Sequence, residues 1–456
     1  MRNAAIVRSL LVAVLLAPHA AAADGEHPQK DPAARAVGEI CTWKSADGLA
    51  YEYYVPKGYD AAKGANLLLI LHGSNLDRRW GFANHAAGEF RPDDVIVCPD
   101  GTTQNPQKTG FNFLRDAKDQ QRLHALHEEL KKTFKVNATY LYGHSQGSFF
   151  AFLYAGAYPD DVQGLVGQAS GVWSGTAATV KHHHQAVALM HGTDDPVVPY
   201  VQSLGGLAFY REAKYPMAHL RSLQGWNHWP NQYQTGQELA WCEGMTSGDA
   251  ARVGASLDTL EGAKPGEGWD RDAAALYLVA KRAAAMESAP AALKERAAKD
   301  VAAVEALAKA HADAIAASLG KGKGDKVEDA EWVGRLAFFL RDFDGVPACD
   351  AMAKDWADRL AKHKSDGIKA LKEFYRVKEK DPAKALVAGV DAIRSGFLWC
   401  ECYDAQFLNT MTGWRGNAAT LKLGKADLKA YDDVVPEFIS GRKKGFDAYA
   451  KLNRGE

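Results

Sequence analysis

The chain has 456 residues, 47% of them hydrophobic, with six cysteines and 55 basic against 56 acidic side chains. That is enough apolar material for a large core, and enough length to predict two domains. The charge is nearly balanced and no basic stripe accompanies the aromatics, which argues against a nucleic-acid partner.

At the N-terminus, Arg2 and Arg8 precede the apolar stretch Leu10 to Ala17, and Ala21-Ala22-Ala23 forms an A-x-A cleavage site before Asp24. The apolar stretch is too short to span a bilayer, and no cysteine stands at the cut to carry a lipid anchor. Residues 1–23 therefore read as an export signal, and the mature protein is expected in the periplasm or outside the cell, without a membrane anchor.

Short apolar runs then alternate with helical stretches. Asn66 to Leu71 (N-L-L-L-I-L) suits a strand buried on both faces and runs into His72-Gly73-Ser74-Asn75. Val95 to Cys98 reads as a second core strand, and Ala117 to Phe134 as a helix. Val136 to Tyr142 is β-branched and aromatic, and Ser148 to Ala157 suits a buried helix. Between them lies Gly143-His144-Ser145-Gln146-Gly147, a G-x-S-x-G at a strand-to-helix junction. A serine there sits on a strained turn that exposes its hydroxyl, and side chains at either glycine would collide where strand and helix meet.

Two more strand ends follow. Ala186 to Leu189 leads into M-H-G-T-D-D-P-V-V-P-Y (190–200), and His219 to Leu223 into G-W-N-H-W-P (225–230). The order Ser145, then Asp195 or Asp194, then His228 is that of the α/β-hydrolase triad, and differs from the orders used by the chymotrypsin and subtilisin folds. Two backbone donors are needed for an oxyanion, and Ser74 N–H and Gln146 N–H are the candidates. Tyr200, Trp226 and Trp229 flank these loops and are candidates for an aromatic substrate wall; Phe111 and Phe113 lie on the loop 101–113 of the same edge. The intervals between the three residues leave no room for a large lid domain, so an open cleft able to admit bulky substrates is expected, with the C-terminal helices as a candidate roof. His144 is read as packing or bonding locally, and the run His182-His183-His184 as a solvated loop, since consecutive side chains diverge and seldom hold one metal.

These segments, with Y-E-Y-Y-V-P-K-G-Y (51–59), L-H-G-S (71–74) and V-C-P-D-G (97–101), resemble α/β-hydrolase serine esterases of the polyhydroxybutyrate-depolymerase and feruloyl-esterase type over roughly residues 40–240. The resemblance implies a carboxylic-ester hydrolase with Ser145 as nucleophile, His228 as base and Asp195, four residues after His191, as the orienting acid. Ser148 stands where many relatives have glycine, and G-W-N-H-W-P replaces a glycine-rich approach to the histidine.

Near residue 245 the chain becomes rich in Ala, Lys, Glu and Asp at helical spacing. Helices are expected at 271–286, 291–319, 329–341, 346–360, 365–377 and 382–394, with the glycine-rich 320–324 as a link or exposed loop. Trp332, Phe338, Phe339 and Phe343 read as core, and Asp342, Asp344 and Asp350 as surface or capping residues. Six cysteines (41, 98, 242, 349, 400, 402) in an exported chain make disulfides possible, and two bridges in the C-terminal region are expected; Cys98 reads as a buried thiol.

The expected architecture is α/β: an α/β-hydrolase with a mostly parallel sheet over 24–245, followed by an all-α domain over 246–456. The expected chemistry is hydrolysis of a small or polymeric ester through an acyl-enzyme, with no metal or organic cofactor. Two further readings stand beside it: a prolyl-oligopeptidase-like serine peptidase, and an inert hydrolase fold whose helical domain recruits a protein or polymer partner.

Overall fold

The computed structural model describes residues 27–229, 232–262, 272–319, 335–336, 338–395 and 405–453. The expected signal segment, the 320–324 link, Trp332, Cys400 and Cys402 lie outside these residues.

Chain order over the first half is β1 (Ile40–Lys44), β2 (Ala50–Tyr54), β3 (Ala65–Leu71), α1 (Arg79–Asn84), α2 (Ala87–Phe90), β4 (Val95–Pro99), a small hairpin of β5 (Thr103–Gln104) and β6 (Phe111–Asn112), α3 (Ala117–Thr133), β7 (Val136–His144), α4 (Gln146–Ala157), β8 (Gly164–Gln168), β9 (Ala186–Gly192), α5 (Val201–Glu212), β10 (Ala218–Leu223) and α6 (Gln232–Thr246). Eight strands form one sheet in the order β1-β2-β4-β3-β7-β8-β9-β10. Only β2 runs against the rest, pairing antiparallel with β1 and β4, while the other pairs are parallel. β3, β4, β8 and β9 are buried along their whole lengths, which is why they read as unbroken apolar runs rather than alternating ones. After β3 the chain continues to β4 on one side and later returns to β7 on the other. That reversal opens a crevice at the carboxyl ends of β3 and β7, where ligands of open α/β sheets bind.

Two clusters of buried side chains sandwich the sheet. One packs α3, α4 and α5 against it, through Leu123, Phe150, Phe152, Leu207 and Tyr210. The other runs from Tyr142, Val166 and Ala188 on the sheet through Leu239 and Trp241 on α6 into α7 (Ala250–Glu261), α8 (Ala273–Ala285) and α9 (Ala291–Leu319), and reaches Phe339, Phe343 and Met352. The apolar core is therefore continuous across residue 246. Further on, α10 (Pro347–Val377), α11 (Pro382–Arg394), α12 (Ala405–Gly416) and α13 (Lys425–Asn453) share a third cluster built on Phe374, Leu386, Phe407, Met411 and Phe438. The segments expected as two helices at 346–360 and 365–377 are one helix of 31 residues, because the connecting A-K-H-K is helix-forming and holds no breaker. Among the described residues no helix is long and apolar enough to cross a membrane.

α6 is the element that departs most from the sequence pattern. Residues 234–244 are all buried, although five of them are Gln, Thr or Glu. Several of their polar groups find partners inside the protein. Arg221 Nη1 donates to Gln237 Oε1 (2.6 Å) and Glu238 Oε1 (3.3 Å), while Arg91 (2.6 Å), Arg252 (2.9 Å) and Asn66 (2.8 Å) donate to Glu243. Beside them His219 Nε2–H donates to Asp272 Oδ2 at 2.7 Å, joining β10 to the start of α8.

This buried pair makes stability depend on pH. Burial alone would lower the His219 imidazole, but the Asp272 carboxylate and, behind it, Glu238 outweigh that and raise it to about 9. A histidine raised on folding contributes stability that is complete below its ordinary value of about 6.5 and is lost as pH rises through the folded value. Glu238 is also raised, by burial first and then by Asp272, to about 8, so its ionisation costs stability from its ordinary value of about 4.5 up to that value. Urea midpoints should therefore fall between about pH 6.5 and 9, and fall less in His219→Gln. Equal slopes in the two proteins would show that His219 is not the group responsible.

Candidate active site

Ser145 stands between β7 and α4 with φ 53° and ψ −120°, the left-handed half of the map that a residue with a side chain seldom occupies. The two glycines of the motif permit this. A Cβ on Gly143 would lie 2.5 Å from Ser148 Cα, and one on Gly147 would lie 2.3 Å from the Leu71 carbonyl oxygen at the end of β3. Ser148 is fully buried and bonds Ser170 Oγ at 2.5 Å, so its hydroxyl is absorbed by packing beneath the turn.

The loop after β3 closes on this turn. A Cβ at Gly73 would come within 3.3 Å of Ser145 Cβ and 3.1 Å of His144 Nδ1, so a side chain there would crowd the turn. His72 holds the loop in place. Its Nδ1–H donates to the Gly73 carbonyl (2.7 Å), and its Nε2 accepts from Gly101 N–H (3.0 Å) in the loop after β4. Burial lowers His72 to about 4, so it stays a neutral strut. Asn75, with φ 61°, sends its own N–H to the Phe111 carbonyl (3.0 Å). Ser74 N–H and Gln146 N–H have no acceptor among the described residues, and Gln146 opens α4, where the helix presents free N–H groups.

Asp195 and His228 meet at the ends of β9 and β10. His228 Nδ1–H donates to Asp195 Oδ2 at 2.7 Å, and both side chains are buried. Asp195 Oδ1 accepts from the N–H groups of Val197 (2.7 Å) and Val198 (2.9 Å). His191 Nε2 lies 3.1 Å from Asp195 Oδ2 and 2.9 Å from the Val198 carbonyl. Burial alone would raise the Asp195 carboxyl, but the contacts from His191 and His228 outweigh it and hold the group well below the ordinary carboxylate range. Asp194 is directed elsewhere: its Oδ1 accepts from Thr193 Oγ1 (2.9 Å). The geometry thus pairs His228 with Asp195.

His144 links the two halves of the site. Its ring stacks on Trp80 (4.9 Å between centroids) and on Trp229 (5.8 Å), and lies 4.8 Å from the His228 ring. Its Nε2–H donates to the carbonyl of His228 (2.9 Å). Burial and the neighbouring His228 lower it to about 3, so it is neutral. The expected packing is present, on Trp80 and Trp229, and the hydrogen bond reaches a residue 84 positions away in the chain. His144→Phe keeps the stacking but leaves a buried carbonyl unpaired, at a cost of about 1–3 kcal/mol. The expected result is a folded protein whose kcat for an ester falls about 5- to 100-fold with little change in KM. An unchanged kcat would show that His228 is held by other contacts.

Of the expected aromatic wall, Trp226 and Trp229 are half-buried beside His228, and Trp226 Nε1–H donates to the Trp229 carbonyl (2.8 Å). Tyr200 is different. It is 1% exposed, and its hydroxyl bonds Ser222 Oγ (2.5 Å) and Arg341 Nη1 from the helical half. A ring enclosed in this way has no face for substrate, so Tyr200 is a brace between the acid-bearing loop and the C-terminal region. Phe113 is likewise buried, stacked on Phe150. Asp344 pairs with Arg211 (2.6 Å), and Asp350 lies in the first turn of α10.

The triple histidine run is solvated only at its end: His182 is buried, His183 half-buried and His184 exposed. His182 and His184 donate to the carbonyls of Gly156 (3.1 Å) and Pro159 (2.9 Å), and His183 to that of Ala213 (2.9 Å), because each side chain diverges to a different neighbour. Cys98 is a buried thiol as expected, whereas Cys242 and Cys349 enter none of the expected bridges. Cys41, Cys98, Cys242 and Cys349 are buried free thiols, each enclosed by core or backbone rather than facing another sulfur.

The strand order, the turn at Ser145 and the triad-ordered residues at three strand ends define an α/β-hydrolase fold, followed by a helical region. Residues 114–229, which include Ser145, Asp195 and His228, match the phospholipase/carboxylesterase family. The chain is similar in structure to a Bacillus cereus carboxylesterase, at 17% identity and TM-score 0.36, over 43% of this chain and 94% of that one. It is similar to the ferulic-acid-bound Est1E of Butyrivibrio proteoclasticus, at 19% identity and TM-score 0.31, over 40% of this chain and 89% of that one. A thermostable esterase aligns at 16% identity and TM-score 0.36 over 44% of this chain, which spans only 61% of that protein's length. No curated protein matches the chain in sequence.

Proposed function

We propose that the protein is an exported serine hydrolase that cleaves carboxylic esters through Ser145, His228 and Asp195. The observation that carries this reading is the 2.7 Å bond from His228 Nδ1 to a buried, low-lying Asp195 carboxylate, at the sheet edge where Ser145 occupies its strained turn. With Nδ1–H committed to Asp195, the His228 tautomer leaves Nε2 as a proton acceptor. His228 takes the Ser145 proton as the oxygen attacks the ester carbonyl, since an unassisted alcohol is a weak nucleophile at neutral pH. The N–H groups of Ser74 and Gln146 receive the oxyanion, and each such donor is worth about 3–4 kcal/mol in the transition state. His228 then protonates the departing alcohol and activates water to release the acid from Ser145. Trp226 and Trp229 supply aromatic surface beside the acyl position. Export is supported by the basic start, the short apolar stretch and the A-x-A site of residues 1–23.

The test is labelling with a fluorophosphonate probe, which reports an activated serine without assuming a substrate. Wild type should label stoichiometrically, and Ser145→Ala and His228→Ala should not. A well-folded wild type that resists the probe would refute the proposal.

A further inference from the structure

A second cluster of chemistry-bearing side chains lies on the sheet face opposite α6, away from the turn of Ser145. His124 and His127 are one turn apart on α3, which brings them to one face of the helix. Asp161 sits in the short 3-10 turn after α4. His124 Nδ1 is 2.6 Å, and His127 Nδ1 3.5 Å, from the same carboxylate oxygen, Asp161 Oδ2, and the Tyr154 hydroxyl donates to that oxygen at 2.5 Å. The two imidazole nitrogens and the carboxylate oxygen all lie within 4.8 Å of one another. Glu128 Oε1 is 3.7 Å from His127 Nδ1, offering a second carboxylate at the rim.

The independent observation is the His127 ring. It is 2% exposed, and its Nδ1 is buried with no hydrogen-bond partner, although it faces the cluster. On its other side, Nε2 bonds Thr139 Oγ1 at 2.9 Å. In the tautomer that donates Nε2–H to that hydroxyl, Nδ1 carries the lone pair that a metal would take in place of its 3.5 Å contact with Asp161. A ligating histidine is commonly held in this manner, its second nitrogen fixed by an outer partner. His124 is about a third exposed, so the cluster has a route to solvent.

We propose that His124, His127 and Asp161 form a site for one divalent transition-metal ion of the zinc class, bound through both Nδ1 atoms and the carboxylate. Two imidazoles and a carboxylate suit such ions better than calcium or magnesium, which prefer all-oxygen shells. Tetrahedral zinc with bonds near 2.0–2.1 Å separates its ligand atoms by about 3.3 Å. The His127–Asp161 spacing already meets that figure. The His124–Asp161 pair must open by about 0.7 Å as the metal replaces its proton, a movement its exposed side permits. The ion would tie α3 to the turn after α4 without touching Ser145, so its role is structural and separate from ester chemistry.

The experiment uses the full mature chain freed of metal by chelation, titrated with Zn2+ by calorimetry and with Co2+ by visible absorption. One equivalent should bind, with a four- or five-coordinate Co2+ spectrum and a Tm that rises with free metal. His127→Gln and His124→Ala should each weaken binding at least about 100-fold, and Thr139→Val by about 10- to 100-fold. His124→Ala alters a partly exposed position and guards against loss of fold in the buried variant. His184→Ala should leave the single equivalent intact. Failure of the wild type to bind one equivalent, or binding that survives both His124→Ala and His127→Gln, would overturn the site. A loss seen only in His184→Ala would assign the metal to the histidine run instead, and would also overturn it.

Discussion

Ser145→Ala should lower kcat for ester hydrolysis by about 10⁴- to 10⁶-fold while leaving the unfolding transition almost unchanged. Removal of one triad member costs nearly as much as removal of all, because attack, proton transfer and orientation act as one unit. Asp195→Asn should approach the same loss, since the amide cannot hold His228 in the required tautomer. Stability will separate the two variants. Asp195 is depressed on folding by His191 and His228 after they outweigh burial, so it contributes stability above the ordinary carboxylate value of about 3.9 that is lost as pH falls through its folded value. Asp195→Asn should thus be less stable at neutral pH as well as inactive, whereas Ser145→Ala, relieved of a β-carbon hydroxyl only, should be inactive and stable. Steady-state kinetics on a short-chain ester and urea unfolding of both variants provide the check. Substantial turnover by Ser145→Ala would place the nucleophile elsewhere.

The second large effect concerns the helical region. A chain ending at residue 246 should not fold into an active hydrolase. Truncation there uncovers α6, whose Leu239, Trp241 and Cys242 share one cluster with Val253, Leu257, Leu260, Leu276, Tyr277 and Val279. Burying one such large apolar side chain is worth roughly 1.5–3 kcal/mol. Loss of contacts to a handful of them rivals the whole stability of a typical domain, about 5–15 kcal/mol. The cut also removes Asp272 from the buried His219, and Arg341 from the hydroxyl of Tyr200 beside the Asp195 loop. The expected outcome is an aggregating or molten fragment 24–246, with folding and esterase activity recovered on co-expression of 247–456. A monomeric fragment with full activity and a cooperative melt would show the helical region to be an appendage.

Most of the hydrolase half was legible in the sequence. β3, β4 and β9 announce themselves as short apolar runs because a strand covered on both faces has no polar side to alternate with. The turn at Ser145 was legible for a related reason. A serine at positive φ, pressed against the end of β3 and the loop that follows it, requires glycine at 143 and 147, and that requirement is written within five residues. The order of Ser145, Asp195 and His228, each at a strand end, follows from the same local pattern.

What escaped were the features whose causes lie far apart in the chain. α6 carries Gln, Thr and Glu through its buried stretch, and no periodicity marks it as core; Arg91, Arg221, Arg252 and Asn66 make its burial tolerable, and they come from other elements. Tyr200 looked like a substrate-facing aromatic until Arg341 closed over it. His72, His144 and His191 were visible as letters beside the motifs, but their roles depend on Gly101, on the His228 carbonyl and on the Asp195 carboxylate. The sequence by itself determined the strands, the turn and the order of the reactive residues, because those rest on backbone sterics and apolar periodicity that act over a few neighbouring residues. Only the tertiary structure decided which polar groups are buried together and which loops brace one another, because a hydrogen bond or ion pair between distant elements exists only after the chain has folded them into contact.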